Sequence, residues 1–153
     1  MATGCKWSTF GASKWREIPQ RGIEAEYGRR LSDRLKWNVS GSYSNPRQKE
    51  INETYWKQAA PKLQFTSGIR YESPTWEAGT SFSFVTKRLR NRDGGLNPNI
   101  ALWNAYVGYH FNKDATLRLD ARNLLDRHNV ITNGDYEYWG DPFTYELSYT
   151  QKF

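Results

Sequence analysis

Runs of about ten residues in which every second side chain is apolar recur from Arg21 to the end of this chain, and that period of two belongs to strands. Ile23, Ala25 and Tyr27 alternate with Glu24, Glu26 and Gly28, and Leu35, Trp37, Val39, Gly41 and Tyr43 alternate with Lys36, Asn38, Ser40, Ser42 and Ser44. The pattern returns over residues 63–71, 76–84, 101–111 and 115–121, and again over 143–153. Neighbouring side chains of a strand point to opposite faces, so each run has one apolar and one polar face. Seven strands are clear. Residues 1–20 hold a weaker candidate for an eighth, broken at Pro19.

The connections between these strands keep a rhythm. They are short at 31–34, 73–74 and 112–114, and long at 45–61, 89–98 and 127–142. Consecutive strands joined in this way form a meander with all short turns on one rim and all long loops on the other. That is the layout of outer-membrane barrels, whose short turns are periplasmic. Aromatic residues gather towards both strand ends of the apolar face: Tyr27, Trp37, Tyr71, Trp76, Phe111 and Phe153 at one rim, and Tyr43, Phe84, Trp103 and Phe143 at the other. Paired interfacial girdles have this distribution. The expected fold is all-β, an antiparallel up-and-down transmembrane β-barrel meander of about seven or eight strands. Keeping the apolar faces together sets Phe65 opposite Phe82, Arg70 opposite Glu77 and Gly68 opposite Gly79.

Composition agrees with a wall that meets lipid on one side and water on the other. Aromatic residues make up 16% of the chain and charged residues 25%, while hydrophobic residues total only 37%, too few to cover so many rings in a water-soluble core. No run of about 18 apolar residues exists, so no helix spans a membrane. Residues 1–20 contain Lys6, Lys14 and Arg16 without an apolar centre, and are not a signal peptide. The net charge of +6 and the basic cluster at residues 87–92 raise nucleic acid as a partner. Interspersed acidic residues argue against that, and a basic rim suits anionic headgroups equally well. Cys5 is the single cysteine and has no internal disulfide partner.

Several stretches resemble the TonB-dependent outer-membrane receptors. Residues 21–26, Arg-Gly-Ile-Glu-Ala-Glu, resemble that family's Arg-Gly-Val-Glu stretch several strands before its end. Residues 121–127, Ala-Arg-Asn-Leu-Leu-Asp-Arg, resemble its Asn-Leu-Phe-Asp-Lys near the last loop, and Gly140-Asp141-Pro142 with a strand ending in Phe153 resembles its close. The chain departs from the pattern at Leu125, where Phe is usual, at Phe143, where Arg is frequent, and at Gln151, which interrupts the closing alternation. The resemblance covers residues 16–153. It implies that residues 21–153 are C-terminal strands of a barrel of about 22 strands, preceded by a poorly defined segment at 1–20. It also implies a receptor that imports a scarce small-molecule ligand, such as an iron chelate or ferric siderophore, in a bacterial outer membrane. Its partners would be outer-membrane lipid and the barrel-assembly machinery, with TonB and the plug domain engaged only through sequence this chain lacks.

No catalytic site is expected. His110 and His128 are far apart, no Ser or Cys has an evident base, and no cluster has metal-ligand spacing, so neither metal nor cofactor is implied. Asp120 and Asp126 read as carboxylates on one polar strand face, beside Arg118 and Arg122. The ligand-side candidates are loop aromatics, Tyr55 and Trp56 in the first long loop and Tyr136, Tyr138 and Trp139 in the last, which can stack on a flat anionic chelate. The competing expectation is that these rings pack on one another or reach the lipid interface. Tyr145, Leu147, Tyr149 and Phe153 mark the closing strand and its terminal signal. Two other architectures share the alternation: a self-contained eight-stranded outer-membrane barrel with an adhesive or structural role, and a soluble ligand-binding barrel with its apolar face inward.

Overall fold

The computed structural model describes residues 21–48, 57, 58, 60–89, 96–133 and 136–153; the candidate strand within residues 1–20 lies outside them. Among the described residues thirteen strands follow one another: β1 (Gly22–Arg30), β2 (Leu35–Ser44), β3 (Arg47–Gln48), β4 (Lys57–Gln58), β5 (Leu63–Glu72), β6 (Trp76–Val85), β7 (Arg88–Leu89), β8 (Leu96–Asn97), β9 (Ile100–His110), β10 (Ala115–Arg122), β11 (Val130–Asn133), β12 (Tyr136–Trp139) and β13 (Thr144–Gln151). Seven of them form one sheet in the order β1-β2-β5-β6-β9-β10-β13, every pair antiparallel. This is the meander that the alternation predicts, open at β1 and β13. Among the described residues no helix is long and apolar enough to cross a membrane, which says nothing of a β-barrel.

All short turns lie on one rim and all long connections on the other. The long ones are not plain loops. Each carries a two-stranded ribbon, β3–β4, β7–β8 or β11–β12, that prolongs the hairpin beyond the sheet. Polar composition hid these extensions, because short ribbons at a wet rim need no apolar face.

The register keeps the positions of the apolar face in line across the sheet, as in Val39↔Ser67, Ser67↔Phe82 and Phe82↔Trp103. Hairpin β5–β6 differs from expectation by two residues: Phe65 faces Phe84, Arg70 faces Gly79 and Gly68 faces Ser81. The turn explains the difference. Ser73 N donates to Trp76 O at 2.8 Å, and Ser73 Oγ accepts from Trp76 N at 2.9 Å, so the loop residues are Pro74 and Thr75. Proline's fixed φ suits the second position of a turn and not the third, where a Ser73-Pro74 loop would have put it.

Among the described residues no second layer covers the apolar face. Among the described residues, Tyr145 is 76% exposed, Leu147 65% and Ile23 61%, and the buried hydrophobic side chains are only Ala101, Ala115 and Val130. Polar groups on the same face satisfy one another. Trp37 Nε1 donates to Ser67 Oγ at 3.0 Å, and Trp103 Nε1 donates to Thr80 Oγ1 at 2.6 Å. The two hydroxyls in turn donate to the backbone oxygens of Asn38 and Asn104. A surface meeting hydrocarbon requires this closure, since no water is present to serve a stranded donor.

Candidate functional site

The polar face is organised around Arg118 on β10. Its Nε and Nη2 bind Asp120 Oδ2 and Oδ1 at 2.8 and 2.9 Å, and Nη1 reaches Glu77 Oε1 at 3.0 Å. Its guanidinium carbon also lies 3.9 Å from the centroid of the Tyr106 ring. A planar fork with five donors serves two carboxylates and an aromatic face at once. Two glycines make room. Glu77 reclines over Gly108, and the Tyr106 ring lies over Gly79. A Cβ on either glycine would stand 2.7 Å from Glu77 Cγ or 2.6 Å from Tyr106 Cε1.

This arrangement replaces the expected Arg70–Glu77 pairing. Glu77 faces Glu72 in the register, and Glu72 is held instead by Lys36 at 2.8 Å and Arg70 at 3.4 Å. Arg122 and Glu146 approach to 3.5 Å. Between these groups lies an open depression of about 350 Å³ bordered by Asn38, Arg70, Asn104, Tyr106, Asp120 and Arg122. Cations and carboxylates alternate around it, so the face is hydrophilic without a strong field of either sign. Among the described residues no three His, Cys, Asp or Glu side chains gather where they could hold a metal.

The second organised region is at the long-connection rim, and the sequence did not reveal its centre. Asn123 has a left-handed backbone, φ 51°, and a side chain only 1% exposed. Its Nδ2 donates to Arg127 O and Asp141 O, both at 3.0 Å, while its Oδ1 accepts from Arg127 N at 3.2 Å. Asp126, also left-handed at φ 46°, accepts from Phe143 N at 2.9 Å through Oδ1. Asp126 thus lies beyond β10 and ties the chain to the entrance of β13, rather than lining a strand face beside Asp120. Asn and Asp are the side chains that tolerate this backbone and can bond nearby main chain. Asn129 completes the set by accepting from Ala101 N and donating to Ala101 O, both at 3.3 Å.

Tyr55 and Trp56 lie outside the described residues, and Tyr136 begins β12. Tyr138 and Trp139 are exposed, opposite Ile131 and Val130 respectively, so as strand neighbours they point to opposite sides of their ribbon. Trp139 meets His128 edge-on, with centroids 6.1 Å apart. On β13, Tyr145, Leu147 and Tyr149 stand exposed on the apolar face, and Phe153 beyond it is fully exposed.

The family model described as TonB dependent receptor-like, beta-barrel matches residues 16–124. The chain belongs to this family. No curated protein gives a significant match. Among solved structures, the ferric citrate transporter FecA in its unliganded form is 23% identical, with a TM-score of 0.73, over 87% of this chain and 24% of that one. The copper transporter OprC is 16% identical over 88% of this chain and 24% of its own, with a TM-score of 0.67. A mutant of the ferric enterobactin receptor PfeA from Pseudomonas aeruginosa is 16% identical over 86% and 22%, with a TM-score of 0.62. The chain thus spans about a quarter of the length of these structures, and the likeness concerns the fold.

As a TonB-dependent receptor barrel, the sheet accommodates its departures from the family pattern. Phe143 engages Asp126 through its main-chain N–H, so the tie does not depend on the side chain at that position. Gln151 accepts from the Tyr149 hydroxyl at 2.8 Å, which gives the interrupting amide a local partner.

Proposed function

We propose that residues 21–153 form the C-terminal portion of the barrel of an outer-membrane receptor that imports a scarce small-molecule ligand such as a ferric siderophore, with no catalytic role of its own. The observation that carries this reading is a single-layered sheet with an uncovered apolar face, a charged opposite face and every short turn on one rim. Its apolar face would meet outer-membrane lipid and its polar face would line the hydrated interior. The exposed closing strand, with Tyr145, Leu147, Tyr149 and Phe153, would be the part offered to the assembly machinery. TonB and the plug would act through sequence beyond this chain. Ligand would be met at the long-connection rim, where Tyr138 and Trp139 are exposed; Tyr55, Trp56 and Tyr136 are the further candidates for this role.

Two measurements test this. The chain is refolded with and without lipid vesicles and followed by circular dichroism and protease protection; strand signal protected only with lipid is the expected result. A folded monomer in plain buffer would overturn the reading. Ferric citrate and ferric enterobactin are then titrated against the inserted chain, following tryptophan fluorescence. Quenching that is lost in Trp139→Ala supports the rim as the ligand side, and absence of quenching by either chelate removes that assignment.

A further inference from the structure

The depression on the polar face exists because the side chains at its floor are small. Gly68 and Ser81 are direct partners there, and Asn104 pairs with Ser81 from the next strand. The Asn38 carboxamide reaches over Gly68, and the Tyr106 ring, lying over Gly79, borders the space as well. Two guanidiniums stand at opposite sides of it, Arg70 on β5 and Arg122 on β10. Strands β6 and β9 run between them, so their backbones are three inter-strand spacings apart, roughly 14 Å. The formal charges nearby balance, but they are not held alike. Both oxygens of Asp120 are bound by Arg118, at 2.8 and 2.9 Å, so this carboxylate is already neutralised. Among the described residues Arg70 reaches Glu72 only at 3.4 Å, and Lys36 holds that carboxylate more closely, at 2.8 Å. Arg122 and Glu146 stand 3.5 Å apart, with side chains 63% and 66% exposed. Exposed pairs at such distances contribute little and are readily exchanged for a better acceptor.

Asn104 Oδ1 accepts from Asn123 N at 3.0 Å, which fixes the orientation of its amide and leaves Nδ2 as a donor on the strand next to Arg122. Guanidinium and amide donors around one depression call for a ligand made of acceptors, and the guanidinium fork matches a carboxylate in bidentate fashion. A single carboxylate cannot serve two arginines on strands this far apart, whereas a molecule bearing two or three can. The volume of about 350 Å³ admits one small molecule of that kind. We propose that the depression binds a small di- or tricarboxylate, one carboxylate on Arg70 and another on Arg122, with the Asn104 amide between them. The site lies on the wall of the sheet, apart from the rim aromatics, and it rests on the reading that the polar face lines the hydrated interior of a barrel.

The test is equilibrium dialysis of labelled tricarballylate against the full chain inserted into phosphatidylcholine vesicles, with acetate as the single-carboxylate control. The wild type should bind tricarballylate roughly fivefold more tightly than acetate, the weight of one further exposed ion pair. Arg70→Gln and Arg122→Gln should each remove that advantage. Two variants outside the arginines give opposite signs. Glu146→Gln, which frees Arg122, should tighten binding, and Lys36→Gln, which lets Glu72 close on Arg70, should weaken it. Arg29→Gln, on the apolar face opposite Trp37, should change nothing. Equal binding of both anions by the wild type, or undiminished tricarballylate binding in the double Arg70→Gln, Arg122→Gln variant, would overturn the site. A chain that stays open to protease in the vesicles overturns the barrel reading, and the site falls with it. A protected chain without preference for the tricarboxylate overturns the site alone.

Discussion

Glu77 and Arg118 meet at 3.0 Å although an entire strand, β9, runs between them. The contact exists because the β9 residue in their row is Gly108, whose missing side chain leaves a channel for Glu77 to cross. The same device recurs one row away, where Gly79 takes the Tyr106 ring on which Arg118 stacks. Two glycines in strands, ordinarily a weakness, here allow side chains to lie along the sheet and join β6, β9 and β10.

Gly108→Ala should therefore break the Glu77–Arg118 pair. The new methyl would stand 2.7 Å from Glu77 Cγ and 2.8 Å from Oε1, forcing the carboxylate away. We expect a loss of about 1 kcal/mol in the lipid-inserted chain, the scale of a partly screened charged hydrogen bond. Urea unfolding measures it. In a Glu77→Gln background the same substitution should cost clearly less, and equal costs would show that the pair is not what Gly108 protects.

Cysteine cross-linking checks the β5–β6 register. Phe65 and Phe84 are direct partners, and Phe82 lies one same-face position further along. Directly opposed Cβ atoms approach within disulfide reach, whereas the diagonal neighbours are about 7 Å apart. The Phe65→Cys, Phe84→Cys variant should oxidise readily and the Phe65→Cys, Phe82→Cys variant poorly.

Asn123→Ala removes a buried amide that serves three main-chain groups and leaves them unpaired. A cost of about 2–4 kcal/mol is expected, concentrated in the connection from β10 to β13, where protease should cut faster. Asn123→Asp should be no better, because it sets an acceptor against the carbonyls of Arg127 and Asp141. Full protection in either variant would deny the residue this role.

Thr80→Val makes the apolar face more apolar, yet it should destabilise the inserted protein. It strips the Trp103 indole N–H of its acceptor, at 2.6 Å in the native sheet, in surroundings without water. The expected loss is about 1 kcal/mol. Trp103→Phe should abolish the penalty of Thr80→Val, and additive costs in that double-mutant cycle would refute the coupling.

Strand positions, faces and the side on which each turn falls were legible in the sequence, because each depends on a period of two or on local turn residues. The register of β5–β6 was not settled by facing patterns, since a slip of two residues leaves every side chain on its original face. Only the turn chemistry around Pro74 distinguishes the two pairings. The Gly108 crossing is not legible in the sequence for a different reason: it joins three strands, and the glycine reads as an ordinary polar-face position until its neighbours are known. Asn123 sat in full view inside a stretch resembling a family motif, but its bonds run to Asp141, 18 residues away, and nothing local announces them. The loop aromatics were visible as residue types only; which side of a ribbon each one faces depends on pairings that polar rim sequences do not encode.

The seven-stranded order has a directional consequence. In a meander each strand reverses the last, so with an odd number β1 and β13 run the same way. They cannot zip to each other in antiparallel fashion, and neither can the facing edges of two copies set side by side about one barrel axis. Closure into an all-antiparallel cylinder therefore demands an odd number of further strands between those edges. A barrel of about 22 strands satisfies this with about 15 more, and a barrel of eight with a single one.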